Sequence, residues 1–330
     1  MATKVTATLL GKTIEVSAQS VYDGTPPKKS EDAAESGGNL FRIVSRAKRQ
    51  VLELASSNDW QYFVTTTCDP AKVDRSNTKA AQSAWMRFGQ YTARKTGEKL
   101  AYLAVPEPHP NGWGYHAHAL ATCPGAVLKP YEPSEYRKLP FAIKRAYERA
   151  KAAGRQIYHC PWMDEHLGWN LWEPVDSPEK IQNYITKYID KTLAEAAAVA
   201  ASGAAAEADV STPGAATAGQ PAKRADLYFH SRGLNHPPRR ILKPTQTTYS
   251  LLDQLEEMSK DVLHMSHKIG GGFKVKTRAW LGVREYNGEV VGRTYRVDRA
   301  NVSEEQWDEL LRQTGLDPVS LAVLQSEYGE

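Results

Sequence analysis

No apolar run in this chain of 330 residues reaches the roughly 20 residues that a membrane-spanning helix needs, so no membrane partner is expected. The opening stretch MATKVTATLLGKTIEVSAQS alternates polar and apolar residues. It lacks the cationic start and long apolar core of a secretory signal, and the expected compartment is the cytoplasm. Cysteine is scarce: Cys68, Cys123 and Cys160 are widely spaced and form no C-x-x-C pair. That excludes a disulfide scaffold and a zinc knuckle and leaves three reduced packing thiols. There is no G-x-x-x-x-G-K-[ST] phosphate loop, hence no fused P-loop helicase. Strong net charge is missing too, since the formal balance is only +4.

What is present is ordinary globular usage, 41% apolar and 24% charged, with an uneven charge distribution. From Lys223 to Arg299 there are 15 Lys/Arg against 8 Asp/Glu, a local balance of +7 that suggests a polyanionic partner. Residues 22–39 combine Pro, Gly, Ser and charge, so a flexible N-terminal segment is expected over 1–39 and a folded domain over 40–193. The Ala-rich stretch 194–223 reads as a disordered insertion. A basic C-terminal region follows over 224–330, holding a last core strand, a hairpin around Asn287-Gly288 and helices.

Inside 40–193, Leu40, Ile43, Val44, Ala47, Val51, Leu52 and Leu54 recur at helical spacing, with Arg42, Arg46, Lys48 and Arg49 largely on other faces. WQYFVTTTCDP reads as a strand, and TKAAQSAWMRFGQYTARKTG as a helix with Gly97 near its end. KLAYLAVPEP and YHAHALATC are strands flanking a turn that contains Asn111-Gly112. His116 and His118 share one face of their strand, and Ala117, Ala119 and Ala121 the other. Alone, the pair fits a metal site or two structural histidines. If the hairpin pairs directly, however, Glu107 lands beside both and supplies a third, oxygen ligand.

SPEKIQNYITKYIDK has a good helix start and places Tyr184, Lys187, Tyr188 and Lys191 along one broad side. Two readings stand: core aromatics with snorkelling lysines, or a phenol that attacks a phosphodiester with a lysine one turn away.

The order of these elements resembles the HUH endonucleases that initiate rolling-circle replication. FVTTT is similar to the family's first motif, His116-Ala117-His118 to its paired-histidine motif, and Tyr184-x-x-Lys187 to its nucleophile motif. EPHPNGWGYHAH is similar to the geminivirus Rep pattern, in which a Glu shortly before the histidines completes the metal site; the double Y-x-x-K resembles the microvirus-type initiators. HSRGLN, with Arg232, resembles a stretch downstream of the tyrosine in phage and plasmid initiators. The likeness covers Trp60 to Lys191, and the Ala-rich insertion departs from it.

The resemblance implies an α+β fold with a central antiparallel sheet of about five strands and helices packed on it. It implies a nicking and joining enzyme of a bacterial host's cytoplasm, acting on single-stranded origin DNA through a 5′-phosphotyrosine. Glu107, His116 and His118 would hold Mg2+ or Mn2+; Tyr184 and Tyr188 would be the nucleophiles, supported by Lys187 and Lys191. Arg42, Arg46, Lys48, Arg49 and Arg232 are the expected DNA contacts, and a host helicase and polymerase the expected partners. Two alternatives remain at this level: a relaxase or single-tyrosine transposase with the same chemistry, and a non-catalytic DNA-binding regulator.

Overall fold

A computed structural model describes residues 2–21, 38–74, 78–108, 115–132, 141–175, 185, 227–260, 262–269, 272–286 and 289–322. The first elements in chain order are β1 (Ala2–Leu10), β2 (Thr13–Val21), α1 (Gly38–Ser56), β3 (Tyr62–Cys68), α2 (Thr78–Thr96), β4 (Ala101–Pro108) and β5 (Tyr115–Thr122). Next come β6 (Lys129–Pro130), α3 (Phe141–Ala152), β7 (Tyr158–His159), α4 (Pro161–His166), β8 (Gly168–Pro174), β9 (Phe229–His230) and β10 (Arg239–Leu242). The last are α5 (Gln246–Lys260), β11 (Val262–Ile269), β12 (Gly272–Thr277), β13 (Ala279–Tyr286), β14 (Glu289–Asp298) and α6 (Glu304–Thr314). Among the described residues no helix is long and apolar enough to cross a membrane.

The fold is α+β, as expected, and divides into two units: Ser30–Asn235, and a second that joins Met1–Lys29 to His236–Glu330. The first unit is built on a seven-stranded antiparallel sheet in the order β6-β7-β8-β3-β5-β4-β9. Seven strands exceed the expected five because β6, β7 and β9, two residues each, extend the edges of four longer central strands. Strand β3, rich in aromatic and β-branched residues, lies between β8 and β5.

Each face of this sheet has its own core. On one, Ala104, Ala119 and Ala121 form a shallow floor on which Trp85 and Phe88 of α2 pack with Trp172. Small residues on the strands leave room for large rings: Trp85 lies 5.1 Å from Tyr102 and 6.3 Å from Trp172, centroid to centroid. Helix α2 stops at Gly97, whose φ of +77° suits the left-handed position after a helix. On the other face, Ala47, Val51, Leu54 and Ala55 of α1 recur at helical spacing over Phe63, Leu103, Val105 and Leu120. The end of α1 is closed by Asn58 Nδ2 and Trp60 Nε1, which donate to the carbonyls of Leu54 and Ala55 at 2.9 and 3.0 Å.

The second unit corrects the expected flexible stretch over 1–39. Residues 2–21 form a β1–β2 hairpin in a five-stranded antiparallel sheet ordered β10-β1-β2-β14-β13. The reason is burial: Val5, Ala7, Ile14 and Val16 point into a core with Leu251 and Leu255 of α5 and Trp307 and Leu310 of α6. Their strand partner β14 is nearly the whole chain away, so no local signal announced it. The expected C-terminal hairpin is there, as β13 paired with β14 from Tyr286↔Glu289 outward. The Ala-rich segment 194–223 lies outside the described residues.

Candidate metal centre

The antiparallel β4–β5 pair sets Glu107 directly opposite His116 and Val105 opposite His118. On β3, Thr65 lies opposite His118 and Thr67 opposite His116. Because side chains alternate across a pleated strand, His116 and His118 share the face that carries Leu120 and the α1 core, while the intervening alanines turn to the α2 side.

The two imidazoles converge on one oxygen. His116 Nε2 lies 2.9 Å and His118 Nε2 2.8 Å from Glu107 Oε2. Glu107 and His118 are buried and His116 half-buried, and their ligand atoms all lie within 4.8 Å of one another. Among the described residues this is the one group of three His, Cys, Asp or Glu donors close enough to share an ion. Two imidazole nitrogens and one carboxylate oxygen converging from two rigid strands form a donor set suited to a divalent cation. The carboxylate contributes the hard oxygen that Mg2+ or Mn2+ prefers.

The surroundings hold His118 in place. Thr65 Oγ1 lies 3.2 Å from His118 Nδ1, and the Phe63 ring stacks on the imidazole with centroids 5.7 Å apart. With Nε2–H directed at Glu107, Nδ1 accepts from the Thr65 hydroxyl. With Nε2 bare and available to an ion, Nδ1–H donates to the same oxygen. A hydroxyl can do either, so Thr65 supports both tautomers. Neither Thr65 nor Phe63 stood out as a site residue in the sequence; the signal was the FVTTT run, whose register against β5 is needed to read it.

At the far end of β3 the sheet is shaped by Gly168, which pairs with Cys68 at φ +138°. A Cβ there would lie 2.3 Å from Thr67 O and 2.6 Å from Asp69 N, so only glycine fits. Beyond it Asn170 is a buried hub. Its Oδ1 accepts from Cys160 N at 2.6 Å and Trp172 Nε1 at 3.0 Å, and its Nδ2 donates to Asp164 Oδ1 at 2.8 Å.

These strands lie in a segment with known relatives. Residues 61–193 match the family profile of the replication-associated protein ORF2. The matched segment therefore contains β3, the three metal-centre residues and the tyrosine helix motif, but neither α1 nor the second unit. No curated protein and no solved structure matches the chain.

Tyr184, Lys187, Tyr188 and Lys191 lie outside the described residues. Their neighbour Ile185 is described and fully buried, in the cluster with Leu103, Val105 and Leu120 on the metal-bearing face. Of the expected DNA contacts, Arg46 and Arg232 are exposed and Lys48 is half-buried. Arg49 is engaged by Glu53, with Nε 2.5 Å from Oε1, and the side chain of Arg42 lies outside the described residues.

Proposed function

We propose that this chain is a replication initiator that nicks and rejoins single-stranded DNA by metal-dependent transesterification. The observation that carries the reading is the convergence of Glu107, His116 and His118 inside the segment similar to replication-associated proteins. The buried Ile185 supports it, because it anchors Y-I-T-K-Y-I-D-K to the same sheet face.

In this reading Glu107, His116 and His118 hold Mg2+ or Mn2+. The bound cation supplies charge neutralisation at the scissile phosphate and orients it for in-line attack. Tyr184 loses its phenolic proton, and its oxygen forms a bond to phosphorus as the bond to the 3′ oxygen breaks. The products are a 5′-phosphotyrosine and, after the leaving oxygen takes up a proton, a free 3′-OH. Because the ester bond is exchanged and not hydrolysed, its energy is kept for rejoining. Tyr188, one helical turn away, makes the second cut, and Lys187 and Lys191 offset phosphate charge. Arg46 and Arg232 contact the DNA backbone, and a host helicase and polymerase unwind and extend the nicked strand.

The test is a denaturing gel of protein incubated with single-stranded DNA of its own replicon and Mn2+. A covalent adduct is expected with wild type, with Tyr184→Phe and with Tyr188→Phe, but not with the double variant or with His116→Ala. Undiminished adduct in His116→Ala would overturn the metal-centre reading, and absence of adduct in wild type would overturn the nicking reading.

A further inference from the structure

Four strands bring one row of side chains to the metal end of the sheet. Trp169 of β8 lies opposite Thr67 of β3, Thr67 opposite His116 of β5, and His116 opposite Glu107 of β4. Cross-strand partners share a face, so Trp169 stands on the metal-bearing side, two strand spacings or about 10 Å from His116. Leu171, next on that face of β8, is buried in a small core with Ala146 and Ala150 of α3. Trp169 is instead 44% exposed, and among the described residues no ring stacks on its indole. The strand beneath it is firmly set, by the Gly168 turn and by the Asp69 N–H that donates to Leu167 O at 2.8 Å.

An indole left in water on a rigid strand suits a flat apolar ligand. The ligand the neighbouring metal centre calls for is a polynucleotide, whose bases all carry a π-face. A span of about 10 Å matches about three stacked nucleotides at ~3.4 Å each, and fewer when the strand is extended. We propose that Trp169 is a stacking platform for a nucleobase of the single strand whose phosphate lies at Glu107, His116 and His118, with Thr67 as the polar floor between them. The identity of the strand rests on the nicking reading above; the stack itself does not need cleavage.

The experiment uses full-length protein and fluorescence anisotropy with two labelled probes, a dT12 oligonucleotide and a 12-mer of the same backbone made wholly of abasic sites. Wild type should bind dT12 more tightly than the abasic strand. Trp169→Ala and Trp169→Leu should bind dT12 roughly 5- to 100-fold more weakly than wild type, the range that loss of one base–aromatic stack produces, and Trp169→Phe should recover most of it. Binding of the abasic strand should be unchanged in all three. The leucine variant keeps apolar bulk, so a loss there reports the missing aromatic face and not a collapsed surface. If wild type forms the adduct with Mn2+ and Trp169→Leu binds dT12 as wild type does, the platform is refuted while the nicking reading stands. If wild type forms no adduct but the dT12 preference disappears with the indole, the platform stands without that reading. Equal binding of both probes by wild type overturns the platform whatever the nicking result.

Discussion

Replacing Thr65 with Val removes one hydroxyl from behind the metal centre and little else. Valine matches threonine in shape and in strand preference, so β3 keeps its backbone and its register. What disappears is the 3.2 Å contact between Thr65 Oγ1 and His118 Nδ1. In the metal-free protein this costs about 0.5–1.5 kcal/mol, the worth of one neutral hydrogen bond. Ion binding should suffer more, because losing an orienting partner of a ligating histidine lowers metal affinity about 10- to 100-fold. At an Mn2+ concentration of about 100 times the wild-type Kd, the ion stabilises wild type by about 2.7 kcal/mol; in the variant this falls to about 1.4 kcal/mol for a tenfold loss or about 0.4 kcal/mol for a hundredfold loss. At about 2–4 °C per kcal/mol for a domain of this size, the Mn2+-induced rise in Tm should drop from roughly 5–11 °C to roughly 1–6 °C. Differential scanning calorimetry with and without Mn2+, alongside a direct titration of the ion, measures both quantities. Thr66→Val is the control: its hydroxyl faces the opposite side and bonds Ala117 O, so its Mn2+ response should match wild type. Equal Mn2+ affinity in Thr65→Val and wild type would falsify the claim that Thr65 positions His118.

Three further outcomes rest on buried groups of the same unit. Gly168→Ala should cost at least about 2 kcal/mol, visible as a lower Tm, because the new Cβ meets the Thr67 carbonyl at 2.3 Å in a backbone conformation of φ +138°; a Tm within a degree of wild type would contradict the close approach. Asn170→Ala should lower stability by about 3 kcal/mol in a urea melt, since Cys160 N and Trp172 Nε1 lose their shared acceptor in a fully buried place, and Asn170→Asp should not rescue it because the donor to Asp164 becomes a carboxylate. The thiols of Cys123 and Cys160 should resist iodoacetamide in the native protein at pH 8 and react on unfolding. Burial pushes the Cys160 thiol up from 9.0 to about 11 and raises Cys123 as well, so their contribution to stability is intact below pH 9 and is lost as pH rises from there toward 11; rapid native labelling would contradict their burial.

The sequence by itself determined the parts whose physics is local. The β4–β5 hairpin follows from two apolar runs around Asn111-Gly112, and its register puts Glu107 opposite His116, so the three-ligand centre was legible from alternation and turn chemistry alone. Helix α2 with its Gly97 stop, strand β3 and the β13–β14 hairpin were legible for the same reason: each is defined by the period of its own residues. What only the tertiary structure decided depends on partners far apart in the chain. Residues 2–21 read as a flexible lead because β14, which pairs with β2 from Thr13↔Asp298 onward, lies almost 300 residues downstream. Thr65 and Trp169 looked like ordinary strand residues until β3 was placed between β5 and β8, and pairing on both of its edges then set them in line with the histidines. A strand's own pattern specifies which side chains share a face; which neighbouring strand they meet is a long-range choice, made by the cores on the two faces of the sheet.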